Sequence, residues 1–191
     1  MTMTEPIRIL GIPGSLRRDS YNRALLRAAA TLLPPDDASL EIFDLDGIPV
    51  FNQDLDRNPP ERVRELKQRI RTSDAILFGV TEHNYGISSA LKNAIDWASR
   101  PYGDNSWNEK PAAMVSASTG MLGGARAQYQ LRQTMVFLNM RPLSLPEVFV
   151  SYAPKKFDEK GNFVDPDGRK FVGDLLNALV AWARRFKTAS P

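Results

Sequence analysis

The stretch GIPGSLRRDSYNRALLRAAA (residues 11–30) begins as the end of a strand and finishes as a helix. The turn between them carries serines, arginines, an aspartate and an asparagine. A helix start offers unpaired backbone N–H groups and the positive end of the helix dipole, so a turn with these side chains favours binding of an anion. A strand, a polar turn and a helix in this order are typical of one unit of a parallel α/β sheet.

The same alternation of an apolar run and an amphipathic helical pattern repeats along the chain in five βα units. Near-continuous apolar strands separated by helices predict a three-layer, doubly wound α/β fold with a five-stranded parallel sheet. No repeat or low-complexity segment interrupts the pattern, so we expect residues 1–191 to form one domain. The predicted strands cover 7–13, 40–45, 74–80, 111–119 and 142–150, and the predicted helices cover about 20–33, 59–71, 88–99, 123–138 and 169–186.

Composition excludes several classes of function. The chain has no cysteine, which excludes disulfides, thiol catalysis and thiolate metal sites. Its apolar runs are shorter than a bilayer span, and its N-terminal segment (residues 1–10) enters a strand-like run directly, so we expect a cytoplasmic protein with no membrane partner. The net charge of +3 is spread through the chain, and the basic helical segment 61–71 is expected to face solvent, which disfavours nucleic acid as a partner.

Three loops of the predicted fold are unusually rich in Gly, Ser, Thr and Asn. They follow the first, third and fourth strands and read GSLRRDSYN, TEHNYGISS and SASTGMLGG. In doubly wound sheets ligands bind outside the carboxyl ends of the strands, where the strand order reverses. We therefore expect these three loops to form one ligand site.

The residues of the first loop distinguish between possible anions. A dinucleotide fingerprint would need small residues where the chain has leucine and arginine, and no Walker A sequence occurs. A terminal phosphate monoester is better served by the hydroxyls of Ser15 and Ser20, the Asn22 amide, Arg17 and backbone N–H groups. Each residue also has a local explanation, such as Ser20 capping the first helix, but their joint occurrence favours a phosphate site.

Rival chemistries lack the necessary residues. His83 is the only histidine, and no G-x-S-x-G sequence surrounds Ser15 or Ser118, so a Ser-His-Asp hydrolase is disfavoured. One histidine without cysteine also makes a poor metal site. Asp44 lies at the end of the predicted second strand and could hold a ribose, although an acid there is also common as a solvated strand end.

The three loops resemble the characteristic segments of the NADPH-dependent FMN reductase family, flavodoxin-like enzymes that include quinone, chromate and azo-dye reductases. The resemblance lies in residues 14–25, 81–100 and 116–132, and LKNAIDW (91–97) is its most specific part. It implies a flavodoxin-like fold, FMN as cofactor and NAD(P)H as co-substrate. The implied activity transfers two electrons through bound FMN to quinones or similar acceptors by a ping-pong mechanism, with no essential catalytic side chain.

The resemblance assigns the FMN phosphate to the first loop, the edge of the flavin ring to the second, and its pyrimidine side to the third. The chain departs from the family pattern where Thr81 replaces proline, His83 replaces tyrosine and Ser88-Ser89 replaces proline-glycine. The second loop therefore lacks the stiffness of those prolines. The residues expected to bind FMN are Ser15, Arg17, Ser20, Tyr21, Asn22, Thr81, Glu82, His83, Asn84, Tyr85, Ser118, Thr119 and Gly120.

The resemblance also implies a homodimer or homotetramer in which a neighbouring chain completes the pocket. Trp97 lies on an apolar helical stripe and is expected in the core or at a subunit contact. Trp107 lies in a polar loop and is expected to be exposed, where it could contact substrate or a partner subunit. Arg126, Tyr129 and Arg132 share helical spacing and are expected at the subunit contact.

Two other functions on this fold stay open. A flavodoxin-like electron carrier would also hold FMN, but such carriers usually present an acidic face and this chain is basic. A non-catalytic binding protein would hold no flavin.

Overall fold

The five βα units follow one another as the sequence predicts in the computed structural model, which describes residues 5–187. The first four residues of the N-terminal segment discussed above lie outside that range. The strands are β1 (Ile7–Pro13), β2 (Ala38–Ile42), β3 (Ala75–Gly79), β4 (Glu82–His83), β5 (Gly86–Ile87), β6 (Pro111–Ala117), β7 (Arg141–Pro142) and β8 (Val148–Val150). The helices are α1 (Tyr21–Leu32), α2 (Glu61–Thr72), α3 (Ser89–Ala98), α4 (Ala125–Phe137) and α5 (Pro166–Lys187).

The main sheet has the order β2-β1-β3-β6, and both β7 and β8 pair with β6. All of its pairings are parallel. The predicted fifth strand is divided into β7 and β8, because Pro142 and Pro146 lack the N–H that a continuous ladder needs. The chain moves from β1 to β2 on one side and then to β3 on the other, so the strand order reverses between β1 and β3.

Helices cover both faces of the sheet, as the apolar strands predict. Ile7 and Ile9 of β1 belong to the core under α1 and α5, whereas Leu10 and Ile12 belong to the core under α2, α3 and α4. This alternation follows from the two-residue period of a strand, whose successive side chains point to opposite faces. All seven residues of β6 are buried, which places the third polar loop at the end of a fully buried strand.

The expectation that Trp107 is exposed is wrong. Its side chain is 0% exposed, its ring packs against Phe78, and its indole N–H donates to the carbonyl of Ile95 (3.1 Å). The loop around it buries the ring because Asn105 accepts the Trp107 backbone N–H (3.0 Å), which turns the indole inward. Trp97 is also a core residue, and its indole N–H donates to the carbonyl of Pro49 (2.8 Å).

The basic helix α2 does not face solvent along its whole length. The Lys67 side chain is 6% exposed, its Nζ lies 2.7 Å from an Asp104 carboxylate oxygen, and it also donates to the Arg100 carbonyl. A buried ammonium needs such partners because an unpaired charge in the interior is strongly unfavourable. Within residues 5–187, no helix is long and apolar enough to cross a membrane, and no three metal-ligating side chains form a group.

Candidate active site

The three polar loops meet at the carboxyl ends of β1, β3 and β6. We call them loop 1 (residues 14–20), loop 2 (80–88) and loop 3 (118–124). Loops 1 and 2 follow the two strands between which the strand order reverses, where doubly wound folds bind their ligands. The Gly14 N–H donates to the Gly79 carbonyl (2.8 Å), which brings the starts of loops 1 and 2 together.

Loop 1 presents donors at the start of α1. Ser20 caps the helix, since its Oγ accepts the Arg23 N–H (3.4 Å), and Ser15 Oγ accepts the Arg17 N–H (3.2 Å). Both hydroxyls keep a proton to donate, and the first-turn N–H groups of the helix have no intrahelical acceptor. The exposed Arg17 guanidinium makes only a long contact (3.5 Å) to the Asp19 carbonyl. The Tyr21 ring packs on Phe157, so its backbone N–H is the group that it offers to a ligand.

The Asn22 amide is hydrogen-bonded to the starts of loops 2 and 3. Its Oδ1 accepts the Ala117 N–H (2.8 Å), and its Nδ2 donates to the Ala117 carbonyl (3.1 Å) and to Thr81 Oγ1 (3.2 Å). The residue is 3% exposed. Both amide protons therefore bond to protein groups in this structure. Only its backbone N–H in the first turn of α1 is left for a ligand.

Loop 2 contains a two-residue β-hairpin that sequence reasoning did not anticipate. Strands β4 and β5 are antiparallel, and the turn residues Asn84 and Tyr85 have φ values of 49° and 68°. Two left-handed residues in succession are typical of a type I′ turn. His83, Asn84 and Tyr85 are exposed at its tip, whereas Thr81 and Glu82 at its base are half-buried.

Glu82 joins loop 2 to the start of α4. Its side chain is 10% exposed, its Oε1 lies 2.5 Å from Arg126 Nη2, and its Oε2 accepts the Ala127 N–H (3.4 Å). The Arg126 guanidinium also lies over the Tyr85 ring, 3.6 Å from its centroid. Burial lowers the pKa of Arg126, but hydrogen bonds and charges of Glu82 and Tyr85 together outweigh this effect and raise it. The Glu82 charge is therefore compensated and does not oppose an anion nearby.

Loop 3 exposes Thr119 and Gly120, and the half-buried Ser118 Oγ accepts the Gly120 N–H (3.2 Å). Gly123 and Gly124 have φ values of 59° and 90°. A Cβ at Gly123 would lie 2.9 Å from the Phe149 backbone, and one at Gly124 would lie 2.8 Å from Ser116 Cβ. These glycines are required for a tight turn packed against the protein.

Charged groups of both signs surround loop 1, since Asp158 and Glu159 line the cavity beside Arg17 together with Arg27 and Lys160. Asp44 lies 2.5 Å from Arg23, and the hydrogen bond from that guanidinium lowers the pKa of the carboxyl group. This carboxylate is therefore paired with α1. Loop 1 itself contains two arginines, Arg17 and Arg18, and one carboxylate, Asp19. A phosphate dianion at loop 1, with a planar ring between loops 2 and 3, suits these donors, so the residues fit FMN.

Sequence reasoning missed two residues that organise the site. Ser88 Oγ donates to the Gly14 carbonyl and accepts the Leu91 N–H (3.2 Å) as the cap of α3. Ser116 Oγ donates to the Gly123 carbonyl (2.6 Å) from a fully buried position. A serine directly before a helical pattern indicates a cap. The partner of Ser88 in loop 1 is 74 residues away and leaves no local pattern.

Comparisons with known proteins agree with the geometry. A family model described as NADPH-dependent FMN reductase matches residues 7–155. An NAD(P)H-dependent FMN reductase of Pseudomonas aeruginosa is 46% identical over 186 residues, covering 97% of this chain and 100% of that protein. A 2-hydroxy-1,4-benzoquinone reductase of Burkholderia sp is 38% identical over 178 residues, covering 93% of this chain and 97% of that protein.

One solved structure is similar in both fold and sequence. It is the flavoenzyme NAD(P)H:acceptor oxidoreductase FerB of Paracoccus denitrificans, with a TM-score of 0.84 and 35% sequence identity. The match covers 94% of this chain and 98% of that one. The predicted flavodoxin-like fold is confirmed by this likeness.

Proposed function

Because this chain belongs to the NADPH-dependent FMN reductase family, we propose that it oxidises NAD(P)H and reduces quinones or similar small acceptors at the three loops. The observation that carries the proposal is the meeting of loops 1, 2 and 3 at the point where the strand order reverses. Relatives named as quinone reductases support quinones as the acceptor class.

Loop 1 is proposed to hold the FMN phosphate. Ser15 and Ser20 would donate from their hydroxyls, Tyr21 and Asn22 from their backbone N–H groups, and Arg17 from its guanidinium. Ser15 and Ser20 are 8% and 6% exposed, so their hydroxyls are fixed by the fold before a ligand arrives. Arg17 is exposed and would reorient to reach the phosphate.

Loops 2 and 3 are proposed to hold the flavin ring. Thr81, Glu82, His83, Asn84 and Tyr85 would border it on one side. On the other side, the third loop would offer hydrogen bonds to its polar edge from Ser118, Thr119 and Gly120. FMN supplies the redox chemistry when bound, since it takes a hydride from a reduced nicotinamide and passes two electrons to an acceptor.

The side chains of the loops bind and orient, and none is proposed as an acid or base. His83 is the only histidine and is exposed, and Glu82 is paired with Arg126. We propose that nicotinamide and acceptor use the same opening between loops 2 and 3 in turn. Such alternation predicts ping-pong kinetics, with parallel lines in double-reciprocal plots, and intersecting lines would contradict it.

The electron carrier is the alternative function. Two carboxylates near the loops, Glu82 and Asp44, are paired with arginines, which disfavours an acidic face for a redox partner there. A spectrum and an assay separate the two. We expect the purified protein with FMN to be yellow and to oxidise NADPH when a quinone is added. A yellow protein that is inert to NADPH would be a carrier, and one that stays colourless with FMN would be neither.

We further propose that the protein is at least a dimer in the cytoplasm, with its α4 surface at the subunit contact. Val136 and Phe137 of α4 are 81% and 79% exposed. Phe137 lines a cleft of about 390 Å³ with Phe51 and Tyr102, and Tyr102 is 81% exposed. Exposed apolar side chains grouped in this way are typical of a contact with another chain, and a second copy is the occupant that we propose.

Light scattering of the FMN-loaded protein tests this assembly. We expect a mass of at least twice 21.4 kDa at micromolar concentration. Phe137→Asp should shift the mass towards the monomer, whereas Phe171→Asp, an exposed aromatic on α5, should leave it unchanged. A parent mass near 21.4 kDa would contradict the dimer.

A further inference from the structure

Side-chain hydrogen bonds of Asn22 and Ser88 connect the three loops to one another. Asn22 bonds to both backbone groups of Ala117, where loop 3 begins, and to the Thr81 hydroxyl in loop 2. Ser88, which is 2% exposed at the other end of loop 2, donates to the Gly14 carbonyl in loop 1. Both ends of loop 2 are thus hydrogen-bonded to one segment of the chain, at Gly14 in loop 1 and at Asn22 in α1.

We propose that Asn22, Thr81 and Ser88 form a lock that sets the position of loop 2 relative to loop 1. In this lock, Asn22 is a positioning residue, because its amide acts on FMN through loops 2 and 3 and not by contacting the phosphate. The inference rests on the proposed function in one respect, since it takes loops 2 and 3 as the ring-binding loops.

The use of the Asn22 amide supports the lock. A side-chain amide has two N–H donors, and both are occupied at 3.1 and 3.2 Å by the Ala117 carbonyl and Thr81 Oγ1. Turning the amide towards a ligand would leave the Ala117 N–H and carbonyl without their partner in a buried position, which is unfavourable. The amide therefore stays with the protein.

Two of the departures from the family pattern fall on the lock. Thr81 and Ser88 stand where that pattern has prolines, and each makes a side-chain hydrogen bond to the segment of loop 1 and α1. Proline restricts a loop by its own ring, whatever its neighbours do. The hydrogen bonds of Thr81 and Ser88 restrict loop 2 only through their partners, Asn22 and Gly14. The position of loop 2 therefore depends on loop 1 and α1.

Affinities for FMN and for riboflavin, which lacks the phosphate, test the lock. Thr81→Val removes the hydroxyl with little change in shape, and Thr81→Ser keeps it. We expect Thr81→Val to weaken both ligands by the same factor, roughly threefold to tenfold for one net hydrogen bond, and Thr81→Ser, which keeps that bond, to recover most of the parent's affinity. Thr81→Val affinities equal to the parent's for both ligands would overturn the lock.

Asn22→Ala separates positioning from phosphate contact. We expect equal factors of loss for FMN and riboflavin, whereas a loss confined to FMN would make Asn22 a phosphate ligand and overturn the lock. Arg17→Ala is the matched control, because it should weaken FMN alone. If Arg17→Ala left FMN binding unchanged, the proposed phosphate site would fail, while the riboflavin results would still decide the lock.

Hydrogen exchange of the FMN-free protein gives a readout without ligand or activity. We expect the amides of residues 82–87 to exchange faster in Thr81→Val than in the parent, and at the parent's rate in Thr81→Ser. Equal rates in parent and Thr81→Val would overturn the lock even if Asn22→Ala failed to fold.

Discussion

Two polar loops of similar composition lie at opposite ends of the sheet and use their residues in opposite ways. Loop 2 (80–88) leaves the carboxyl end of β3, and the segment 102–110 leads to the amino end of β6. In the segment 102–110, Asp104 pairs with Lys67 and Arg71, and Trp107 is fully buried. In loop 2 the hairpin tip is exposed, and Tyr85 is 72% exposed.

The difference shows that polar composition alone does not identify a ligand site. At the amino end, polar side chains pair with one another or with helix ends, as when Asn105 Nδ2 donates to the carbonyl of Leu138 (2.8 Å). At the carboxyl end, the side-chain hydrogen bonds of Asn22 and Ser88 join the loops to one another, whereas the hairpin tip of loop 2 is exposed. The position of a loop relative to the strand direction separates the two cases before any side chain is considered.

The largest expected effect concerns Trp107 in the segment 102–110. Trp107→Ala should lower the free energy of unfolding by about 3–5 kcal/mol, because it empties a closely packed position in the core. Urea unfolding measures this change. Tyr85→Ala is the matched control, because it removes an exposed aromatic side chain from loop 2. It should lower the free energy of unfolding far less. Equal losses of unfolding free energy in the two variants would contradict the distinction between loop 2 and the segment 102–110.

The next effect concerns ligand binding at the carboxyl end. Arg17→Ala should weaken FMN binding by about 1.5–3 kcal/mol, as for the loss of a charge-assisted contact. Titration of the FMN-free protein measures it. Arg71→Ala is the control, since Arg71 pairs with Asp104 at the amino end and should leave FMN affinity unchanged. FMN binding as tight in Arg17→Ala as in the parent would show that the phosphate lies elsewhere.

A smaller effect, on turnover, is expected at the hairpin tip of loop 2. His83→Ala should change NAD(P)H-quinone reductase turnover without abolishing it, because the exposed imidazole is not needed as an acid or base. Steady-state kinetics on the FMN-loaded variant measure the change. Complete loss of turnover in a variant that still holds FMN would reveal a chemical role for His83.

The smallest effect concerns Asp44, a paired carboxylate near the open end. The hydrogen bond from Arg23 lowers its pKa, so its contribution to stability is present at neutral pH and is lost as the pH falls through the lowered pKa of the folded state. Asp44→Asn should cost at most about 1 kcal/mol at pH 7, since the pair is partly exposed. The difference from the parent should shrink in acid. A large loss of FMN affinity would instead favour a ligand role for Asp44.

Much of the fold could be predicted because its determinants are local. The apolar run of β3 is buried along its whole length, and Ser20 caps α1 as its place before a helical pattern indicates. The features that sequence reasoning missed depend on distant partners. Asn22 finds Ala117 across 95 residues, and no local pattern encodes that contact. The hairpin in loop 2 was missed because its left-handed turn residue Tyr85 is not a residue that usually marks such a turn.

A crystal structure of the protein with bound FMN tests the central claim most directly. The account predicts one FMN per chain, with its phosphate between the Ser15 and Ser20 hydroxyls and its ring between loops 2 and 3. It also predicts that the Asn22 amide still bonds to Ala117. A phosphate bound away from loop 1, or an Asn22 amide turned onto the phosphate, would contradict the account.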